Sequence, residues 1–131
     1  MGQNLFQSER FANLLIDVIR FNARLRRFEV IDFVLMPNHL HIVFTVRGDM
    51  SVERAAQCIK GGFSFRVERE LGYLGEVWQP GFSEERVDSL EALRAVLEYI
   101  AQNPVKAGLT KRPDEYPFCY RYLVNKKRGR G

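Results

Sequence analysis

The chain contains two histidines, His39 and His41, separated by a single leucine. Ile42, Val43 and Phe44 follow, so the stretch reads as a strand, in which residues i and i+2 share one face. Two imidazoles are then displayed side by side, roughly 6–7 Å apart at their α-carbons, a spacing suited to a divalent metal. Two neutral imidazoles are an incomplete site and need a third ligand. No other histidine exists, and the nearby Asp49 falls in a loop. Further along, Tyr99 and Asn103 are four residues apart in a helical pattern and so stack on one face. Asn103 offers a carbonyl oxygen and Tyr99 a phenol. If that helix packs against the histidine face, metal, amide ligand and phenolic nucleophile converge. A phenol with an ordinary pKa near 10 is a poor nucleophile until deprotonated, but it can form covalent intermediates when activated. A divalent metal would polarise a phosphate oxygen and orient the scissile bond.

Blander readings fit the same residues. Tyr99 by itself is equally a core or surface helix residue, and strand histidines are commonly structural. The pairing of the only two histidines favours metal or phosphate chemistry. A His-x-His-x-His nucleotide-hydrolase motif would need histidine where Val43 stands. Cys58 and Cys119 have no histidine near them in sequence and read as buried free thiols of a reducing compartment.

The elements that must hold these residues follow from periodicity. Phe11, Leu14, Leu15, Val18, Ile19 and Phe21 recur at nearly helical spacing, with Arg10, Asp17, Arg20, Arg24 and Arg27 mostly opposite. This predicts a helix over 8–27 capped by Ser8. A strand over 28–35, a turn at Met36-Pro37-Asn38 and a second strand over 39–46 make an antiparallel hairpin. A second helix, over 51–70, starts at Ser51 and is interrupted by Gly61-Gly62. Trp78 to Phe82 reads as a strand edge or turn. A third helix begins at Asp88 or Ser89 and breaks or kinks at Pro104, which lacks an amide proton; Gly108 suits the end of a short turn after it. Residues 110–124 read as an irregular, tyrosine-rich segment. The order implies an α+β domain, ferredoxin-like (RRM-like), with a mainly antiparallel sheet and helices on one face.

At 131 residues, with 46% hydrophobic and 27% charged residues, the chain has the make-up of one soluble globular domain. No apolar run approaches a membrane span, no signal peptide is evident, and the expected location is the cytoplasm. The net charge is +4. Lys126, Lys127, Arg128 and Arg130 account for all of it, as a basic tail over 125–131 suited to phosphate contacts or simply to solvation.

Four segments carry a family resemblance. Met36-Pro37-Asn38-His39-Leu40-His41 resembles the histidine motif of the HUH single-tyrosine (IS200-like) transposases. Val77-Trp78-Gln79 with Gly81-Phe82, the run from Tyr99 to Leu109, and Glu115-Tyr116-Pro117 resemble the REP-associated tyrosine transposase branch. The likeness spans about residues 5–118 and implies a single HUH-type domain over 1–124. It implies His39 and His41 as metal ligands for Mg²⁺ or Mn²⁺, Asn103 as the polar residue completing the site, and Tyr99 as nucleophile. The implied reaction cleaves single-stranded DNA beside a hairpin, linking tyrosine to the 5′ phosphate and freeing a 3′ hydroxyl for rejoining. Lys60, Arg66, Arg69, Lys106, Lys111, Arg112, Lys126, Lys127 and Arg128 are candidates for backbone contacts, and Trp78 for base stacking. The protein would act as a monomer or homodimer, without a membrane. Family members begin with a strand before the segment resembling Leu5–Arg10; here that first strand is expected to be missing. Rival readings are a non-catalytic or decayed single-stranded nucleic-acid-binding module and a small-substrate phosphoesterase built on the same histidine pair.

Overall fold

The computed structural model describes residues 5–75 and 87–129. A 3₁₀ turn at Leu5–Gln7 leads into helix α1 (Glu9–Arg24), followed by strands β1 (Glu29–Met36) and β2 (His39–Thr45) and helix α2 (Val52–Leu71). Helix α3 (Leu90–Lys106), a second 3₁₀ turn at Pro113–Glu115 and helix α4 (Tyr120–Gly129) complete the order. The Trp78–Phe82 segment lies outside the described residues.

The two strands form an antiparallel pair joined at Pro37-Asn38, with Met36 opposite His39 and Glu29 opposite Thr45. Their faces are sorted by alternation. Phe33 and Leu35, with Leu40, Ile42 and Phe44 opposite, face a core built on Leu15, Val18 and Ile19 of α1 and Ile59, Phe63 and Val67 of α2. Val34 and Met36 face the other way, against Ile100 and Val96 of α3 and Tyr116, with Val43 beside them. The α+β architecture with an antiparallel sheet therefore holds, but the helices do not lie on one face alone, because apolar residues on both faces of β1 each need a cover. The helix that matters for chemistry, α3, crosses the face opposite α1 and α2.

A bulge between Val30 and Asp32 interrupts the register, so that Val30 pairs with Phe44 but Asp32 with Val43. One extra residue on one strand reverses the parity of what precedes it. That is how Val30 and Phe33, three apart, both meet the α1–α2 core, while Asp32 joins the α3 side. Among the described residues no strand precedes α1 and none pairs with the outer edge of β2. The outer edge of β1 is covered instead by the C-terminal segment: Leu35 N donates to Phe118 O at 2.8 Å, and Val34 forms a bridge with Cys119.

Three local expectations change. Gly61-Gly62 does not break α2, which runs from Val52 to Leu71; a Cβ at Gly62 would stand only 3.2 Å from Val18 Cγ1. The missing side chain brings α1 and α2 into close contact. Pro104 does not end α3. Its absent N–H removes one bond to Ile100, while the next turn stays closed through Ala107 N to Asn103 O at 3.1 Å and Leu109 N to Pro104 O at 2.9 Å. Finally, the segment from Thr110 is not irregular throughout; it ends in α4, which carries Lys126.

Candidate active site

The turn Pro37-Asn38 starts β2 at His39, and alternation then sends His39 and His41 to the α3 side while Leu40 and Ile42 enter the opposite core. The turn is braced from outside by Phe6 N, which donates to Pro37 O at 2.8 Å. The two imidazole rings stand 4.6 Å apart, edge to face. Asn38 Oδ1 lies 2.6 Å from His39 Nδ1. An amide oxygen only accepts, so Nδ1 carries the proton and the Nε2 lone pair is left for a ligand. Orientation of a ligating imidazole through its other nitrogen is the usual arrangement around metals. Burial lowers the pKa of both histidines from 6.5, and the neighbouring His39 lowers His41 further. Both rings are therefore neutral at pH 7, the form that binds metals.

Helix α3 delivers the tyrosine. Ser89 Oγ accepts from Ala92 N at 3.0 Å and fixes the start of the helix. Val96, Ile100 and Pro104 form its buried stripe. Tyr99 flanks that stripe, and its ring meets His41 edge to face at 5.4 Å while remaining 54% exposed. Phenol and imidazoles thus share one open surface. Asn103 is half-buried, one helical turn beyond Tyr99, and its side chain makes no hydrogen bond among the described residues. Nor does any trio of His, Cys, Asp or Glu side chains there converge as a metal site. The structure brings together the two neutral imidazoles and the Tyr99 phenol, with Asn103 one helical turn beyond Tyr99. If Asn103 joined the imidazoles, the mixed nitrogen and oxygen donors would suit Mn²⁺ at least as well as Mg²⁺, with oxygens of substrate or water completing the set.

The chain belongs to the IS200-like transposase family. The family model for "Transposase IS200 like" matches residues 3–103, a span that holds both histidines, Tyr99 and Asn103. The REP-associated tyrosine transposase of Escherichia coli (strain K12) is 32% identical over 94 residues, 71% of this chain and 54% of that protein. The chain thus spans about half the length of the curated relative it matches. A solved structure of a REP-associated tyrosine transposase bound to a REP hairpin superposes with a TM-score of 0.75 at 28% identity, covering 91% of this chain and 69% of that one.

Within this transposase fold the basic candidates separate. Lys60, Arg66 and Arg69 lie on α2, in the layer across the sheet from the histidines. Arg66 is committed to Asp17 at 2.9 Å and Glu70 at 2.6 Å, and Arg69 lies over the Phe65 ring at 5.8 Å. Lys106, Lys111 and Arg112 are exposed at the end of α3 and just beyond, with Arg112 3.6 Å from Asp114. Lys126 is exposed on α4; positions 127 and 128 lie in the same helix, and Trp78 falls outside the described residues. Two supporting groups were not found from sequence. Tyr116 is buried and donates its hydroxyl to Leu35 O at 2.6 Å. Asp32, placed by the bulge, lines a shallow hollow with Ile100, Ala101, Pro104, Cys119 and Arg121. Burial raises its carboxyl pKa, against the lowering effects of the Phe33 N–H and of Arg121. The Glu115-Tyr116-Pro117 run marked the place of Tyr116, but nothing in sequence marked its partner.

Proposed function

We propose that this chain nicks and rejoins single-stranded DNA next to a hairpin, using Tyr99 as nucleophile and His39, His41 and Asn103 to hold Mg²⁺ or Mn²⁺. The observation that carries the reading is the Tyr99 ring set against His41 on an open face, with His39 beside it. Membership of the transposase family and likeness to a hairpin-bound relative support it. A bound metal would supply Lewis-acid polarisation of the scissile phosphate. The chain's own residues do the rest. Burial keeps His39 neutral, and the Asn38 acceptor holds its proton on Nδ1, leaving Nε2 available. The buried stripe of α3 fixes the helix, and so fixes where the Tyr99 oxygen stands relative to the imidazoles. The phenolic oxygen forms a bond to phosphorus as the bond to the 3′ oxygen breaks, and the phenol proton is balanced by the one gained by the 3′ hydroxyl. Rejoining reverses the step, so no external energy source is consumed.

The exposure of Tyr99 suits an extended polymer rather than a small molecule enclosed in a cleft. Incubation of labelled hairpin DNA bearing a single-stranded flank with Mn²⁺ tests the proposal. The parent should cleave the flank, a chelator should stop it, and Tyr99→Phe should abolish cleavage while retaining DNA binding. Cleavage that persists in Tyr99→Phe would remove tyrosine from the mechanism. A parent that binds without ever cleaving would leave a binding module.

A further inference from the structure

Four arginines crowd the end of α1 and the turn into β1: Arg20, Arg24, Arg26 and Arg27. No acidic residue lies between Asp17 and Glu29. Both of those carboxylates are engaged elsewhere, Asp17 with Arg66 at 2.9 Å and Glu29 with Arg47 at 3.5 Å. Among the described residues no carboxylate pairs with any of the four. Arg20 and Arg24 stand one turn apart on the exposed face of α1, a like-charge spacing that weakens a helix. Arg27 is held to the helix end, its guanidinium donating to Asn22 Oδ1 at 2.7 Å.

Arg26 is the most telling. Its φ is +62°, the only non-glycine residue in the left-handed region among those described. Arg27 N donates to Asn22 O at 3.1 Å and Arg26 N to Ala23 O at 2.9 Å, the two bonds of a Schellman motif whose left-handed position is normally glycine. A side chain there is sterically opposed. The α1 dipole welcomes cations at this end, yet Arg24 and Arg27 already serve it without the strain. Beside the arginines Phe21 and Leu25 are 49% and 50% exposed.

The cluster sits at the end of the hairpin where Glu29 pairs with Thr45, opposite the end where Met36 pairs with His39. Seven residues of strand separate the two ends by roughly 23 Å, and α1 packs on the sheet face opposite the histidines, so the cluster is a surface distinct from the candidate active site.

We propose that Arg20, Arg24, Arg26 and Arg27 form a second phosphate-binding surface that holds the backbone of the duplex flanking the cleaved strand. The proposal rests on the reading that DNA with a hairpin is the substrate, and it adds the duplex stem as occupant of this surface. Binding of a short duplex carrying a single-stranded extension, and of the extension alone, is measured against salt by fluorescence anisotropy. For Arg26→Gly the melting temperature should rise by about 3–5 °C, since glycine relieves the left-handed strain. At the same time the slope of log affinity against log salt on the duplex probe should become shallower by about 0.9. The Arg20→Gln/Arg24→Gln double variant should lose about 1.8 of slope on that probe, with little change on the single strand. A raised melting temperature with unchanged slopes on both probes would overturn the proposal, and so would equal losses on both. Neither outcome touches tyrosine adduct formation, which is read separately.

Discussion

Tyr116→Phe isolates the contact that fastens the C-terminal segment beneath the site. Leu35 turns its backbone groups to the outer edge of β1: its N–H bonds Phe118 O, and its carbonyl receives the buried Tyr116 hydroxyl at 2.6 Å. Deleting the hydroxyl removes one neutral hydrogen bond and leaves a buried carbonyl without that donor, at a cost of about 1–2.5 kcal/mol. For a chain of this size the melting temperature should fall by about 4–8 °C at pH 7. Alkaline pH gives an independent check. Burial, with a smaller contribution from Cys119, pushes the phenol from its ordinary 10 up to about 12. The folded state therefore keeps a proton that the unfolded chain releases, and the advantage of the parent over the variant is complete below pH ~10 and disappears as pH rises through ~12. Thermal unfolding followed by circular dichroism across pH 7–11 reads both effects. A variant that melts with the parent at pH 7, or a difference that widens above pH 10, would show that the Tyr116 hydroxyl does not fasten this segment.

Asp32→Asn should stabilise the fold at pH 7, by up to about 1 kcal/mol. The half-buried carboxylate disfavours its charged form, whereas an amide oxygen can still accept from Phe33 N; a lower melting temperature would show that Arg121 outweighs burial. Ser89→Ala removes the cap of α3 and should cost about 1 kcal/mol in chemical denaturation. It should also slow DNA cleavage more than DNA binding, because that helix positions Tyr99. The histidines, with pKa values below 6.5 when folded, bind protons more readily in the unfolded chain. Stability should therefore fall as pH drops below about 6.5, and His39→Gln/His41→Gln should flatten that decline in melting curves taken between pH 4.5 and 7. An unaltered pH dependence in the double variant would place the titration elsewhere.

The histidine hairpin was legible because alternation of His39, Leu40, His41 and Ile42 puts both imidazoles on one face and both aliphatic residues on the other. Ser51 was likewise readable as a cap, and the choice left open between Asp88 and Ser89 falls to Ser89; both serine side chains accept from the third residue beyond. Ser8 occupies the capping position without a side-chain bond. What sequence could not show was decided by tertiary contacts. Gly61-Gly62 signals a break locally, but close packing against Val18 turns the same residues into a point of helix contact. Pro104 forfeits one hydrogen bond, yet the buried stripe it shares with Ile100 holds α3 through another turn. The bulge before Asp32 lies in a run of apolar residues that are buried on either face, so no alternation marked the change of register. Tyr116 finds its acceptor 81 residues away, a distance at which local pattern is silent.

The proposed reaction joins Tyr99 to DNA. Trypsin should release Ala95–Lys106, in which Tyr99 is the only tyrosine, so mass spectrometry of the digest after reaction with hairpin DNA, Mn²⁺ and nuclease reads that link directly. This peptide is expected to carry a 5′-phosphonucleotide on Tyr99. Cleaved DNA with the peptide found only unmodified, or with the nucleotide on another residue, would contradict the proposed reaction.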